Sequence, residues 1–196
     1  MRPTPPALIL ASTSPYRRDL LKRLQLRFEA ASPQVDETPL SGEAPRALAR
    51  RLARAKAEAV AALNPRAVVI GSDQVAELDG LALGKPGSAE RARAQLTLAS
   101  GRTVIFHTSV AIALPGKAPI EHTDLTRVRF RPLTAAAIAS YVDLDQPLDC
   151  AGSFRSEGLG VTLFEAIESL DPTALVGLPL VWVAGALRSV GLDPLD

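Results

Sequence analysis

Arg17 and Arg18 stand in the first turn of a helix expected to open at Pro15. A helix N-terminus already carries roughly +0.5 charge from its free N–H groups, so cations usually avoid it. Two arginines there concentrate positive potential, and Ser12, Thr13 and Ser14 set hydroxyls beside them. That corner suits a polyanion, most simply a phosphate chain. Asp73 follows an apolar run through Gly71 and Ser72, which reads as a strand end. Ligand crevices of open α/β sheets lie at strand ends, and a carboxylate there can hold a metal or take a proton from water. It serves equally well as a turn or cap residue. Asp36 and Glu37 form an acidic pair in a polar loop that gains meaning only if it converges on Asp73. Lys56 lies about 60° from the centre of the apolar stripe read on its helix, bordering the buried side. Its ammonium can reach a cleft or snorkel to solvent. Lys85 sits in Gly84-Lys85-Pro86, where Pro86 replaces the Ser or Thr of a Walker loop and the glycine spacing is too short. Separated cations with two acidic sites make the combination that phosphate hydrolysis needs: charge neutralisation, a metal and an oriented water.

The bulk composition narrows the alternatives. The 196 residues suffice for one α/β domain or two small lobes around a shared cleft. A net charge of +1 provides no global field for DNA or an acidic membrane, and only 4% of residues are aromatic, so a nucleic-acid module is disfavoured. No apolar run reaches the ~18 residues of a membrane span. Cys150 is the single cysteine, which forbids an internal disulfide and fits a reducing compartment, so a cytoplasmic protein is expected.

These residues must be held by short elements. Strands are expected over 7–11, 27–31 and 67–70, with helices from Pro15 and over 45–63. The second helix shows an apolar stripe at Leu48, Leu52, Ala55, Ala59 and Leu63. Asp79-Gly80 signals a type I′ hairpin, and Ser88 an N-cap for a helix over 89–98. Two long strands, 103–114 and 120–130, join through Pro115-Gly116-Lys117. Thr134 caps a helix to 143, residues 145–160 form a loop, 161–167 a strand, and 179–190 a last helix. The order implies a mixed sheet with helices on its faces. His107, His122 and Cys150 read as packing residues, and Gly158-Leu159-Gly160 is no dinucleotide fingerprint.

From about Leu8 to Gly191 the chain resembles the Maf nucleotide pyrophosphatases. The matching stretches are LASTSPYRRDLL, the VDE of QVDETP, RLARAKA, VIGSDQV, LGKPGSAERARAQL, LDCAGSFRSEGLG and ALVGLPL. The resemblance implies an α/β fold like that of the inosine triphosphate pyrophosphatases: one domain over 1–196, with a mixed twisted sheet and two lobes around a central cleft. It implies cleavage of a nucleoside triphosphate between the α- and β-phosphates, dependence on a divalent metal (Mg, Mn or Co) and a homodimer. On matching positions, Asp73 is the catalytic acid position, with general base and metal ligand both open. Ser12, Arg17, Arg18, Lys56 and Lys85 line the phosphate cleft, and Glu37 joins Asp73 at the metal. Tyr16, Gln74 and Glu157 resemble the 7-methyl-GTP branch of the family. N7 methylation makes guanine cationic, which favours the Tyr16 face or the Glu157 carboxylate. A dTTP or UTP pyrophosphatase is the neighbouring alternative. A nucleotide-sensing or cell-division regulatory protein with little turnover is the other, and would need the basic cleft without a hydrolytic carboxylate.

Overall fold

The computed structural model describes residues 6–196; residues 1–5 of the expected domain lie outside the described residues. The strands are β1 (Leu8–Ala11), β2 (Glu29–Ala31), β3 (Val68–Leu78), β4 (Leu81–Leu83), β5 (Thr103–Leu114), β6 (Lys117–Phe130) and β7 (Phe164–Glu168). The helices are α1 (Pro15–Lys22), α2 (Pro45–Leu63), α3 (Ala89–Ala99), α4 (Ala135–Asp145) and α5 (Leu180–Ser189). One sheet runs in the order β2-β1-β3-β5-β6-β7, with β4 also on β3. β1 pairs parallel to β2 and β3, and the remaining pairs are antiparallel. The expected mixed α/β sheet is therefore present.

The long strand β3 departs from the sequence reading. Ser72, Asp73 and Gln74 do not end it; it continues to Leu78 because β5 pairs with it from Val69 to Glu77. Asp73 is thus a mid-strand residue. On the opposite edge, β1 pairs with β3 only up to Gly71 and β4 only from Ala76. Over 72–75 that edge has no strand partner, so the sheet is split beside Asp73. The split separates two apolar cores. At one end Val68, Ile70, Val110 and Ile112 pack with Leu8, Leu10 and the Leu180, Val183 and Leu187 face of α5. At the other, Ala76, Leu78, Val104 and Phe106 pack with α3, α4 and a phenylalanine cluster. Phe154 meets Phe106, Phe130 and Phe164 edge-on at centroid distances of 5.3, 5.6 and 4.6 Å. Each fully buried large side chain contributes about 1.5–3 kcal/mol.

Helix α2 also sits differently from the expected stripe. Its buried face is Leu48, Ala49, Leu52, Ala53, Lys56, Ala57 and Val60, whereas Leu63 is exposed. The alanines at 55 and 59 read as apolar by type, yet Ala49, Ala53 and Ala57 form the close contact. A Cβ on Gly71 would lie 2.3 Å from Ala53 O and 2.5 Å from Ala57 N. The bare glycine lets the helix backbone touch β3, and this rotates Lys56 from the border of the stripe into its middle.

Shorter corrections concern ends. β6 begins at Lys117, three residues before the expected start, because the tight Pro115-Gly116 turn, with Gly116 at a φ of 63°, pairs Leu114 with Lys117. Residues Leu159–Leu163 form a 3-10 turn, so β7 starts at Phe164 instead of 161. Asp79 and Gly80 both adopt positive φ, 50° and 81°, as a type I′ turn requires.

Candidate active site

The split in the sheet opens into a cleft of about 640 Å³, within the range of small-molecule sites. Ser12, Tyr16, Arg17, Glu37, Lys56, Asp73, Gln74, Lys85 and Glu157 all line it. Arg18 does not. It is exposed and borders a separate shallow depression with Lys22 and Arg27. Successive helix residues point about 100° apart, so α1 turns only one of its adjacent arginines to the cleft.

The charged end centres on Lys56. Its Nζ lies 2.6 Å from Asp73 Oδ1 and 2.7 Å from Glu37 Oε1. Lys56 and Asp73 are 5% and 7% exposed, so the pair is desolvated on the protein side. Glu37 is more exposed and arrives on the loop between β2 and α2. Arg51 clamps that loop: its Nε and Nη2 donate to the Glu43 carboxylate at 2.7 and 2.8 Å, and Nη2 also donates to Thr38 O at 3.0 Å. This bidentate pair holds Glu43 down at a pKa of about 2, chiefly through the Arg51 hydrogen bonds. Asp36 instead accepts from Thr38 N at 2.9 Å and shapes its own turn. Burial raises the Glu37 pKa, but Lys56, Lys85 and Arg17 outweigh it and keep the carboxyl below its ordinary value. Burial lowers the Arg17 pKa, opposed by Asp73 and Glu37, and the guanidinium stays charged at neutral pH. Arg17 Nε donates to Gly177 O at 2.9 Å. Ser12 Oγ accepts from Ser14 N at 3.1 Å, and Ser14 Oγ accepts from Arg17 N at 3.4 Å, so the hydroxyls fix the start of α1.

The remaining wall is apolar and aromatic: Leu83, Phe106, Phe154, Leu175 and the Tyr16 ring. Burial raises the Tyr16 pKa, although a hydrogen bond with Arg155 opposes the shift. Arg155 is anchored on Asp145, with Nη2 donating to Oδ1 at 2.9 Å and Nε to Oδ2 at 3.3 Å. Tyr141 Oη donates to the same Oδ2 at 2.8 Å. A Cβ on Gly160 would lie 2.2 Å from Arg155 O. The glycine of the GLG segment therefore lets the chain fold onto Arg155 and holds Glu157 at the rim. Cys150 also lines this wall, and burial pushes its thiol up to about 12.

The Maf-like protein family model matches residues 7–190. This chain belongs to the Maf family. A Xanthomonas oryzae pv. oryzae relative named 7-methyl-GTP pyrophosphatase is 61% identical over 186 residues, covering 95% of this chain and 97% of that protein. A Bordetella avium relative of the same name is 55% identical over 190 residues, covering 97% and 96%. Among solved structures, the chain is similar to a Mycobacterium abscessus nucleoside-triphosphatase / dITP/XTP pyrophosphatase at 15% identity, with 97% of each chain covered and a TM-score of 0.48.

Among the described residues no cluster of three or more His, Cys, Asp or Glu forms a metal centre. The two carboxylates of Glu37 and Asp73 nevertheless converge on one ammonium. Two carboxylates are a sufficient protein set for a Mg²⁺ that takes its other oxygens from phosphate and water, so the donors present fit a divalent cation.

Sequence reasoning missed Arg155, Thr108 and the 174–177 segment. Arg155 stands in the FRSEGLG stretch as one charge among several, and only Gly160 hints that its backbone is closely packed. Arg51 carries no signal in the sequence either: its partner Glu43 is eight residues away, a separation with no helical meaning because Glu43 precedes the helix.

Proposed function

We propose that this protein hydrolyses nucleoside triphosphates between the α- and β-phosphates, releasing a nucleoside monophosphate and pyrophosphate, with 7-methyl-GTP as its favoured substrate. One observation carries the reading: Lys56 is shared by Asp73 and Glu37 in a cleft that Arg17 and Lys85 also line. Arg17, Lys56 and Lys85 neutralise the triphosphate and the charge that develops on departing pyrophosphate. Asp73 uses Oδ1 for Lys56, and its Oδ2 has no protein hydrogen bond among the described residues. Oδ2 is the atom assigned to the attacking water, whose proton it accepts as the oxygen adds to the α-phosphorus. Glu37 and Asp73 would also hold a divalent cation, which supplies Lewis-acid polarisation of phosphoryl oxygens when bound.

The other wall suits the base. Tyr16 provides an aromatic face to a cationic 7-methylguanine, and Glu157 a carboxylate at the rim. The names of the relatives support the same substrate. A cytoplasmic homodimer completes the reading; it rests on the family resemblance and on the unpaired Cys150.

The test is a time course with 7-methyl-GTP, GTP, dTTP and UTP, each with Mg²⁺ and with Mn²⁺, resolving pyrophosphate from orthophosphate. Pyrophosphate should be the first product and 7-methyl-GTP should give the highest kcat/KM. Orthophosphate as first product would replace this reading with that of a terminal phosphatase.

A further inference from the structure

The Arg17 side chain has one hydrogen bond to protein among the described residues, and it goes to the main chain: Nε donates to Gly177 O at 2.9 Å. Lys56 takes both nearby acids, Asp73 and Glu37, so among the described residues no carboxylate makes an ion pair with Arg17. A guanidinium carries five N–H donors in a rigid plane. With Nε spent on Gly177, the four donors on Nη1 and Nη2 remain, and they form the outer edge of the group. Arg17 lines the cleft, so this two-pronged edge is what the protein leaves for a ligand there.

Gly177 suits that contact in two ways. Its φ of +120° is a conformation that a side chain strongly disfavours. The turn demands it: Gly177 N closes the Ala174–Val176 3-10 turn on Ala174 O at 2.9 Å, and the next residue, Leu178, is fully buried. A Cβ at 177 would also lie 3.3 Å from Arg17 Nε, 3.6 Å from Cγ and 3.8 Å from Nη2. The arginine therefore lies along the bare face of the glycine. A second donor anchors the carbonyl. Ser72 Oγ lies 2.9 Å from Gly177 O and 2.9 Å from Ser109 O; both are carbonyls, so its single proton is shared between them. Ser72 directly precedes Asp73 on β3. One carbonyl thus joins the arginine of α1 to the strand that carries the carboxylate.

We propose that Gly177 is the positioning residue for Arg17: its carbonyl fixes the guanidinium with Nη1 and Nη2 toward the phosphate chain and in register with Asp73. This rests on the nucleotide pyrophosphatase reading and deepens it by naming what holds the phosphate grip. Lys56 and Lys85 are point charges that accept any direction of approach. Arg17 instead selects two oxygens lying in the plane of its fork. Burial lowers the Arg17 pKa while the Asp73 and Glu37 charges raise it, so the field of both acids reaches the guanidinium. Released from Gly177, the fork would swing toward these acids and compete with Lys56 for them. The Gly177 carbonyl keeps the cation off the reactive carboxylates and available to the substrate.

The experiment is a double-mutant cycle on the affinity for inorganic pyrophosphate in wild type, Gly177→Ala, Arg17→Ala and the double variant. Affinity is read both as an inhibition constant against 7-methyl-GTP turnover and as a binding isotherm. Gly177→Ala should weaken pyrophosphate about fivefold, because the arginine is present but displaced. The double variant should stay within about twofold of Arg17→Ala, since without the arginine Gly177 has nothing to position. A glycine needed only for its turn would lower Tm and multiply its effect onto that of Arg17→Ala; such additivity overturns the proposal. Arg17→Lys keeps the proposal testable if Gly177→Ala does not fold. Lysine retains the charge but cannot bond Gly177 O and still offer two coplanar donors, so its affinity should stay within about threefold of Arg17→Ala. Full recovery of affinity in Arg17→Lys overturns the proposal, as does a wild type that binds no pyrophosphate. If wild type turns over no nucleotide, the hydrolase reading fails instead, and the cycle is read from the isotherms alone.

Discussion

One carboxylate–cation pair, Asp73 with Lys56, lines the cleft, a second, Asp145 with Arg155, anchors its opposite wall, and they are built to opposite ends. Asp73 and Asp145 are almost equally buried, 7% and 8% exposed. Asp145 has both oxygens engaged by three hydrogen bonds: Arg155 grips both, and Tyr141 donates to one of them. Asp73 meets a lysine, a point charge on a flexible stem, through one oxygen only. That lysine is itself divided between two acids. A saturated pair holds segments together, and an under-coordinated pair has valence left for water, phosphate or metal. Burial alone does not distinguish the two; the count of remaining partners does.

Exchanging the acids for amides should separate the pairs most sharply. Asp73→Asn should lower kcat by about 10²–10⁴, the range for loss of a general base, with nucleotide affinity retained. A steady-state assay beside a binding isotherm checks this. Asp145→Asn should leave a partly buried Arg155 uncompensated and cost up to about 3 kcal/mol of stability, reduced where Arg155 reaches solvent. Denaturant unfolding should show that loss with a much smaller effect on kcat. If the two variants behave alike, the contrast is wrong.

Gly71→Ala tests how the Lys56–Asp73 pair is assembled. The new Cβ would strike the α2 backbone, which costs about 1–3 kcal/mol and moves Lys56 away from Asp73. Both Tm and kcat should fall together, unlike either amide variant. Arg17→Ala and Arg18→Ala form a smaller contrast on one helix turn. Arg17→Ala should raise KM about tenfold, as expected for a charged hydrogen bond to phosphate, and Arg18→Ala should change it by less than about twofold. Equal effects would return Arg18 to the cleft.

Acid should weaken the saturated pair only below the ordinary carboxylate range. Burial raises the Asp145 pKa, but Arg155 and Tyr141 outweigh it and hold it below the ordinary value. A depressed carboxylate stabilises the fold fully above its unfolded pKa, about 3.9 for Asp, and loses that contribution as pH falls through the lower folded value. The Tm of wild type should therefore drop below about pH 4, and Asp145→Asn should show a flatter acid limb. Thermal melts across pH 2–6 check the slope.

Much of this was legible from residue types. The cleft-lining cations, Asp73 and the acidic loop are charged groups in places where charge needs a reason. What sequence did not show is which face each one takes. Lys56 reads as a border residue because Leu63 and the alanines at 55 and 59 imitate an apolar stripe, while the true stripe is set by contact with a glycine on another element. Asp73 reads as a strand end because a polar triplet normally stops a strand; here the pairing with β5 carries the strand across the cleft. Arg17 and Arg18 are equivalent by type, and only the docking of α1 divides them. Thr108 left no signal at all, since its partners, the Ala174 carbonyl and Gln74, are far from it in sequence.

The central claim is that water held by Asp73 attacks the α-phosphorus of a triphosphate bound by Arg17, Lys56 and Lys85. Hydrolysis of 7-methyl-GTP in ¹⁸O-water, followed by mass analysis of both products, tests it most directly. The account predicts the label in the nucleoside monophosphate and none in pyrophosphate. Label in pyrophosphate, or in orthophosphate, would place the attack at another phosphorus and contradict it.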